Sequence, residues 1–160
     1  MSAPPRVLVM GVSGCGKSTI GALVAEQLGL PFIDADDLHP PANRAKLAAG
    51  IPLTDADREP WLEAVHATLA RESGGWVLAC SALKQSYRDA LTAGLGEVTV
   101  VLLDAPEAVF EQRLAARHGH FAASSILRSQ LETLERPAHA ITIDIRQPPR
   151  AVADAIVSAL

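Results

Sequence analysis

The 160-residue sequence has no apolar run of transmembrane length, and its N-terminal stretch MSAPPRVLVMG holds only four successive apolar residues before a glycine, too few for a signal-peptide core. Its two cysteines, Cys15 and Cys80, cannot make a disulfide scaffold. Positive charge is short as well. With 14 Lys and Arg against 18 Asp and Glu, the net charge is −4 and the pI is near 5.7. That leaves no surplus for a nucleic-acid backbone, although small anions can bind at local basic spots. Neither a membrane nor a nucleic-acid partner is expected, and the expected location is cytoplasmic. Internal repeats, linkers and low-complexity tracts are also missing, and the prolines fall at element edges. With 49% hydrophobic residues the chain can bury one core and is too short for two, so a single domain over 1–160 is expected.

What is present is organised in short apolar runs. VLVM (7–10), WVLAC (76–80), VTVVLL (98–103) and AITI (140–143) are aliphatic and do not alternate, as strands buried on both faces should read; PFI before Asp34 is a weaker fifth. Between them lie helical stripes. Ile20, Leu23, Val24 and Leu28 form one, ended by Gly29 and Pro31; Trp61, Leu62, Val65 and Leu69 form another, begun by Pro60; Val152, Ile156, Val157 and Leu160 form the last. Strands alternating with helices imply right-handed βαβ units. The expected fold is a three-layer α/β/α sandwich on a mostly parallel five-stranded sheet.

GVSGCGKS, Gly11 to Ser18, fits the phosphate-loop pattern G-x-x-x-x-G-K-[ST] and lies between the strand VLVM and the helix STIGALVAEQL, where such a loop has to be. Its glycines let backbone N–H groups turn inward around phosphate oxygens, Lys17 adds a point charge near the β and γ phosphates, and Ser18 offers a hydroxyl to magnesium. The candidate ATP contacts here are Gly11, Ser13, Gly14, Cys15, Gly16, Lys17, Ser18 and Thr19. Cys15, near a helix N-terminus and Lys17, is expected to have a depressed thiol pKa and to be reactive unless Mg-ATP covers it; the alternative is a small, inert side chain pointing into the protein.

The signatures of other phosphate-loop classes are absent. None of the nine aspartates has glycine three residues later, and N-K-x-D does not occur, which sets aside a GTPase switch. WVLAC ends in Cys80 and Ser81, not in the aspartate an ATPase would place there. VVLLD ends in Asp104, but Asp104-Ala105-Pro106-Glu107 reads as a helix start with proline in the first turn, so a cap is weighed there against a metal ligand. If Asp104 caps, the metal carboxylate has to come from FIDADDLHP, Phe32 to Pro40. Asp34 and Asp36 are two apart and on an extended segment point the same way, while Asp37 points opposite.

DADDLHPPANRAKLAAGIPLTDADREPWL, CSALKQSYRDAL and RLAARHGHFAASSILRSQLETLE resemble the gluconate kinase family in order and spacing, within the broader fold type of nucleoside monophosphate and shikimate kinases. The resemblance runs from the phosphate loop to about Pro148, with small departures at Cys15, often serine in the family, and Leu47, often methionine. It implies a phosphate-loop NTPase fold with a mobile lid, ATP and Mg2+ as cofactors, a homodimer, and transfer of the γ-phosphoryl group to the 6-hydroxyl of D-gluconate.

A polyol acid needs hydrogen-bonding groups for its hydroxyls and a cation for its carboxylate. The acceptor-binding segment is placed at about 34–62, with Asp36 orienting and deprotonating the hydroxyl and Asp34 holding magnesium beside Ser18. The resemblance moves His39 from a turn role toward the ligand. Arg58, just before the helix expected from Pro60, is assigned to the carboxylate, since guanidinium pairs it with two parallel bonds; its alternative is a surface ion pair with Asp55, Asp57 or Glu59. Trp61 is read as core. Lys84 and Arg88 are one helical turn apart and are both candidates to face the acceptor, Lys84 ahead of Arg88, with Tyr87 as packing. Arg113 and Arg117, also one turn apart, begin by resemblance a lid over about 117–130 with HGHFAASS at its tip, Arg113 near adenine and Arg117 on the phosphates. DIRQPP, with Gln147, resembles the loop along the adenine edge. The catalytic set is Lys17, Asp36 and Arg117.

Overall fold

The computed structural model describes residues 4–118 and 120–160, and the side chains of these outside 117–126. Strands β1 (Arg6–Met10), β2 (Phe32–Asp34), β3 (Trp76–Ala79), β4 (Thr99–Asp104) and β5 (Ile141–Asp144) form a sheet in the order β2-β3-β1-β4-β5. All its pairings are parallel, so the sheet expected to be mostly parallel is wholly so among the described residues. Helices α1 (Lys17–Leu28), α2 (Pro41–Ala48), α3 (Asp55–Ala70), α4 (Gln85–Thr92), α5 (Glu107–His118), α6 (His120–Thr133) and α7 (Pro149–Ala159) complete the fold.

The run VLVM shows why the central strands do not alternate; AITI, expected to be buried on both faces as well, does alternate, because β5 is an edge strand with Thr142 and Asp144 exposed. Val7 and Val9 face one core with Val24 of α1, Leu114 of α5 and Ile156 of α7. Leu8 and Met10 face a second with Trp61 and Val65 of α3 and Leu91 of α4. All four residues of the run VLVM are fully buried, because helices cover both faces of the central strand. β1 lies between β3 and β4: the chain leaves it toward β2 and β3 on one side, and the β3–β4 connection then crosses it to the other, so the order reverses at β1 and a crevice opens beyond the strand ends. The phosphate loop follows β1, Asp34 ends β2, and the segment leading to Lys84 follows β3, the neighbour of β1.

Local chemistry moves two expected boundaries. α3 starts at Asp55, five residues before Pro60, because Thr54 and Asp57 form a reciprocal capping box: Thr54 Oγ1 accepts from Asp57 N–H (3.1 Å) and Asp57 Oδ2 from Thr54 N–H (2.9 Å). Arg58 is therefore on the helix, not before it. The segment after Asp34 is not extended either. Asp34 accepts from Asp36 N–H (3.0 Å) and caps a 3₁₀ turn over Ala35–Leu38, so strand alternation does not govern Asp36 and Asp37. The segment HGHFAASS, expected as a lid-tip loop, takes in the end of α5 at His118 and the start of α6 at His120. The side chain of Arg117 and those of the whole of this tip lie outside the described residues.

Candidate active site

Gly14 (φ +87°) and Gly16 (φ +83°) are left-handed, a conformation that costs a residue with Cβ, and they turn the loop so that α1 begins at Lys17. Gly11 is enforced by closeness: a Cβ there would sit 2.8 Å from Cys15 Sγ and 3.0 Å from the Leu103 carbonyl oxygen. The same winding points Cys15 inward. Its thiol is fully buried, packed in one core with Val9, Val12 and Leu103. Burial pushes its pKa up, against the opposing pull of Lys17 and Arg113. The expectation of a depressed, reactive thiol is thus corrected: the side chain is core and only the backbone belongs to the loop.

Ser18 Oγ donates to Asp34 Oδ2 at 2.7 Å, which joins the end of the phosphate loop to the end of β2, two strands away in the sheet. Among the described residues no three His, Cys, Asp or Glu side chains cluster as a metal cage. A hydroxyl and one carboxylate are the kind of sparse oxygen set that suits Mg2+, which keeps waters and takes its remaining ligands from phosphate. Asp104 is employed otherwise: Oδ1 accepts from Ala105 N–H (3.0 Å) and Oδ2 from Arg136 (2.9 Å).

The acceptor segment is assembled by its own side chains. Trp61 is core, as expected, but its Nε1–H donates to Ala35 O (2.7 Å) and its ring stacks on His39 at 4.3 Å between centroids and 13° between planes. Arg44 donates to the carbonyls of Asp37 (2.7 Å) and His39 (3.2 Å). Lys46 pairs with Asp57 at 2.7 Å and ties α2 to the start of α3, holding the Asp57 carboxyl down at about 2. Asp36 and Asp37 are left exposed, while His39 is half-buried.

Arg58 and Lys84, remote in sequence, meet over one ring: their cationic ends lie 5.4 and 5.5 Å from the centre of Tyr87. Tyr87 O–H donates to Asp55 Oδ1 (2.8 Å), which Arg58 and Lys84 approach only to 3.5 and 3.8 Å. Asp55 is 74% exposed, and the Tyr87 hydrogen bond, then Lys84, hold its carboxyl below the ordinary range. Its pairing with Arg58 is the surface ion pair weighed as the alternative, but at 3.5 Å it leaves the guanidinium unfilled. Tyr87, read as packing, is the platform of this cationic pair.

Arg88 behaves differently from the expectation. It is 3% exposed, and its donors go to Ala82 O (2.6 Å), Glu135 O (2.7 Å), Gln85 Oε1 (3.0 Å) and, weakly, Met10 Sδ (3.9 Å). Nothing remains of its fork for an acceptor, and it serves as a tie between the β3–α4 connection and the chain after α6. One turn of separation from Lys84 was true of the sequence, but the N-cap position of Lys84 and the inward face of α4 send the two side chains apart.

Against the phosphate loop and the first turn of α1 a cavity of about 370 Å³ is lined by Gly14, Gly16, Thr19, Arg113, Ile145 and Gln147. Arg113 donates to Ile145 O (2.9 Å) and more weakly to Gly14 O (3.4 Å), spanning the cavity from the loop to the segment after β5. Its flat guanidinium and the Gln147 amide suit a planar heterocycle. Sequence reasoning missed Gln130, whose carboxamide accepts from Ser13 N–H (2.5 Å) and donates to Ser13 Oγ (2.8 Å), and Asn43, buried beside His39. Neither stands in a motif that carries a mechanism, and no local signal marks them.

Comparison with known proteins agrees with this geometry. A family model described as shikimate kinase matches residues 13–160. The chain is 48% identical to the gluconokinase of Gluconobacter oxydans (strain 621H) over 86% of this chain and 79% of that one. It is 45% identical to a probable gluconokinase of Mus musculus, covering 86% of each. Among solved structures, a gluconokinase from Sinorhizobium meliloti 1021 superposes with a TM-score of 0.86 at 45% identity, over 99% of this chain and 92% of that one.

Proposed function

Because the chain belongs to the gluconokinase family, we propose that it transfers the γ-phosphoryl group of ATP to the 6-hydroxyl of D-gluconate, giving 6-phospho-D-gluconate. The Ser18–Asp34 hydrogen bond carries this reading, since it joins a phosphate-binding loop to a polar acceptor segment. The cavity at Arg113 and Gln147, beside the loop, is of a size for a nucleoside, and the acceptor segment that follows Asp34 carries Asp36 and His39, with the cationic pair of Arg58 and Lys84 on the Tyr87 ring.

The loop amides of Gly14 and of Gly16 to Thr19, with the Lys17 ammonium, hold the triphosphate, and Gly11 gives the turn its room. Ser13, expected as an ATP contact, has its N–H taken by Gln130, and the Cys15 N–H is taken by Val12 O (3.2 Å), so these two shape the loop from within. Ser18 and Asp34 would hold Mg2+, which would supply neutralisation of phosphate charge. Asp36, exposed at the head of the 3₁₀ turn, orients the acceptor hydroxyl and takes its proton. Arg58 and Lys84 receive the gluconate carboxylate, and His39 binds along the polyol. By resemblance, Arg117 closes on the transferring group at the start of a lid that helps exclude water, which would otherwise compete as acceptor. Of the span about 117–130 assigned to that lid, Leu127 is core and Gln130 is bonded to the phosphate loop, so the far end is part of the fixed fold. Positioning and charge neutralisation supply most of the catalysis.

An ADP-release assay with gluconate, shikimate and nucleoside monophosphates tests the reading. Turnover with gluconate well above the others is expected, and faster turnover with shikimate or a nucleotide would overturn it.

A further inference from the structure

Asn43 and Arg88 are the buried polar residues among those described, and Asn43 lies on α2 at 3% exposure. Its Nδ2 is 2.9 Å from the Asp57 carbonyl oxygen and 3.2 Å from His39 Nδ1. A carbonyl only accepts, so the Asp57 contact requires the NH2 end of the carboxamide there. The second hydrogen of the same nitrogen is then directed at His39 Nδ1. An amide nitrogen does not accept, so Nδ1 has to supply its lone pair, and the proton of a neutral ring resides on Nε2.

The ring has little freedom to escape this arrangement. It is stacked on Trp61, which is anchored to Ala35 O, and the backbone carbonyl of His39 is held by Arg44. The charges that act on it are Asp36 of the 3₁₀ turn, which favours imidazolium, and Arg44 of α2 and Arg58 of α3, which oppose it. Burial is the largest influence and, with the arginines, keeps the ring neutral at and above neutral pH.

We propose that Asn43 is a positioning residue that fixes His39 as the Nε2–H tautomer, so that His39 donates a hydrogen bond to an oxygen of the bound sugar acid and does not serve as its base. The identity of that acceptor rests on the gluconate reading, whereas the tautomer does not. The inference divides labour at the mouth of the site: an acceptor oxygen meets an N–H at His39 and a carboxylate at Asp36, and only the second can take a proton.

Nitrogen-15 NMR of histidine-labelled protein at pH 8, without substrate, reads the tautomer directly. A His39 spectrum with unprotonated Nδ1 and protonated Nε2 is expected; protonation on Nδ1 overturns the proposal. Asn43→Ala should yield a mixture of tautomers and lower kcat/KM for gluconate by about three- to tenfold, the worth of one hydrogen bond, with the KM for ATP unchanged. An unchanged tautomer in that variant overturns the role of Asn43. Should Asn43→Ala not fold, His39→Gln and His39→Asn decide. The glutamine amide reaches the Nε2 position and should retain more activity than the asparagine, which reaches only Nδ1, and the reverse order overturns the donor role. If another acceptor is turned over in place of gluconate, the gluconate reading fails while the spectrum still judges the tautomer.

Discussion

Gln130 holds the N–H and the hydroxyl of Ser13, although 117 residues separate them: its carbonyl oxygen accepts the Ser13 N–H and its amide donates to the Ser13 hydroxyl. Five residues later Glu135 accepts from Gln85 N–H (2.9 Å) and bonds through its own N–H to Leu83 O (2.7 Å). The end of α6 and the chain beyond it thus bridge the phosphate loop and the segment that carries Lys84. Removing the carboxamide releases the third residue of the loop, so Gln130→Ala is expected to raise the KM for ATP by about three- to tenfold and leave that for gluconate unchanged. Gln130→Glu should be worse, because it sets a negative charge beside the triphosphate, and the gap between the two variants should narrow as salt rises. Initial-rate kinetics at two ionic strengths check both statements.

Arg58 and Lys84 share the Tyr87 ring with only a long contact each to Asp55, which leaves their charge available. Arg58→Ala is expected to raise the KM for gluconate by about ten- to a hundredfold, from loss of about 1.5 to 3 kcal/mol of charge-assisted bonding, with the KM for ATP nearly constant. An unchanged gluconate KM would transfer the carboxylate to Lys84.

The three aspartates of Asp34-Ala35-Asp36-Asp37 should separate under substitution by asparagine. Asp36→Asn is expected to lower kcat by about 10² to 10⁴ with ATP affinity kept, as for loss of a general base. Asp34→Asn weakens the oxygen set beside Ser18 and should raise the magnesium concentration needed for half-maximal rate. Asp37, exposed and engaged only through its backbone carbonyl by Arg44, should tolerate the change in both assays. Wild-type turnover by Asp36→Asn would remove it from the chemistry.

Both cysteines are fully packed, and burial pushes the Cys80 thiol up to about 12. The native protein is expected to resist alkylation at Cys15 and Cys80 at pH 8, with or without Mg-ATP, and to react in denaturant. Peptide mass spectrometry over time checks this, and rapid, nucleotide-sensitive labelling of Cys15 would show that its side chain reaches the loop's outer surface.

Arg88 differs from Arg58 in what its loss should do. Arg88→Ala leaves the carbonyls of Ala82 and Glu135 without their donor and opens a cavity, so a loss of about 2 to 4 kcal/mol in unfolding free energy is expected, with a lowered Tm. Denaturant titration measures it. A variant of unchanged stability that has lost gluconate binding would restore Arg88 to the acceptor site.

The phosphate loop, the strands and the helix stripes were legible in the sequence because each is a local pattern. Gly11 to Ser18 is contiguous, and four apolar residues in a row announce a strand, but not its place in the sheet: VLVM is covered on both faces, whereas AITI belongs to the edge strand β5, where Thr142 and Asp144 are exposed. Local rules failed where a neighbouring hydrogen bond competed with them: the Thr54–Asp57 capping box started α3 ahead of Pro60, and Asp34 capped a turn that alternation had drawn as strand. Tertiary structure alone decided which side chains meet. Ser18 reaches Asp34 because the strand order sets the end of β2 near the loop, Arg58 finds Lys84 through Tyr87, and Gln130 finds Ser13 across most of the chain. It also decided the inward turn of Cys15 and Arg88, since a side chain's direction follows from the space left by packing on both sides of the sheet, and residue type and spacing do not contain that space.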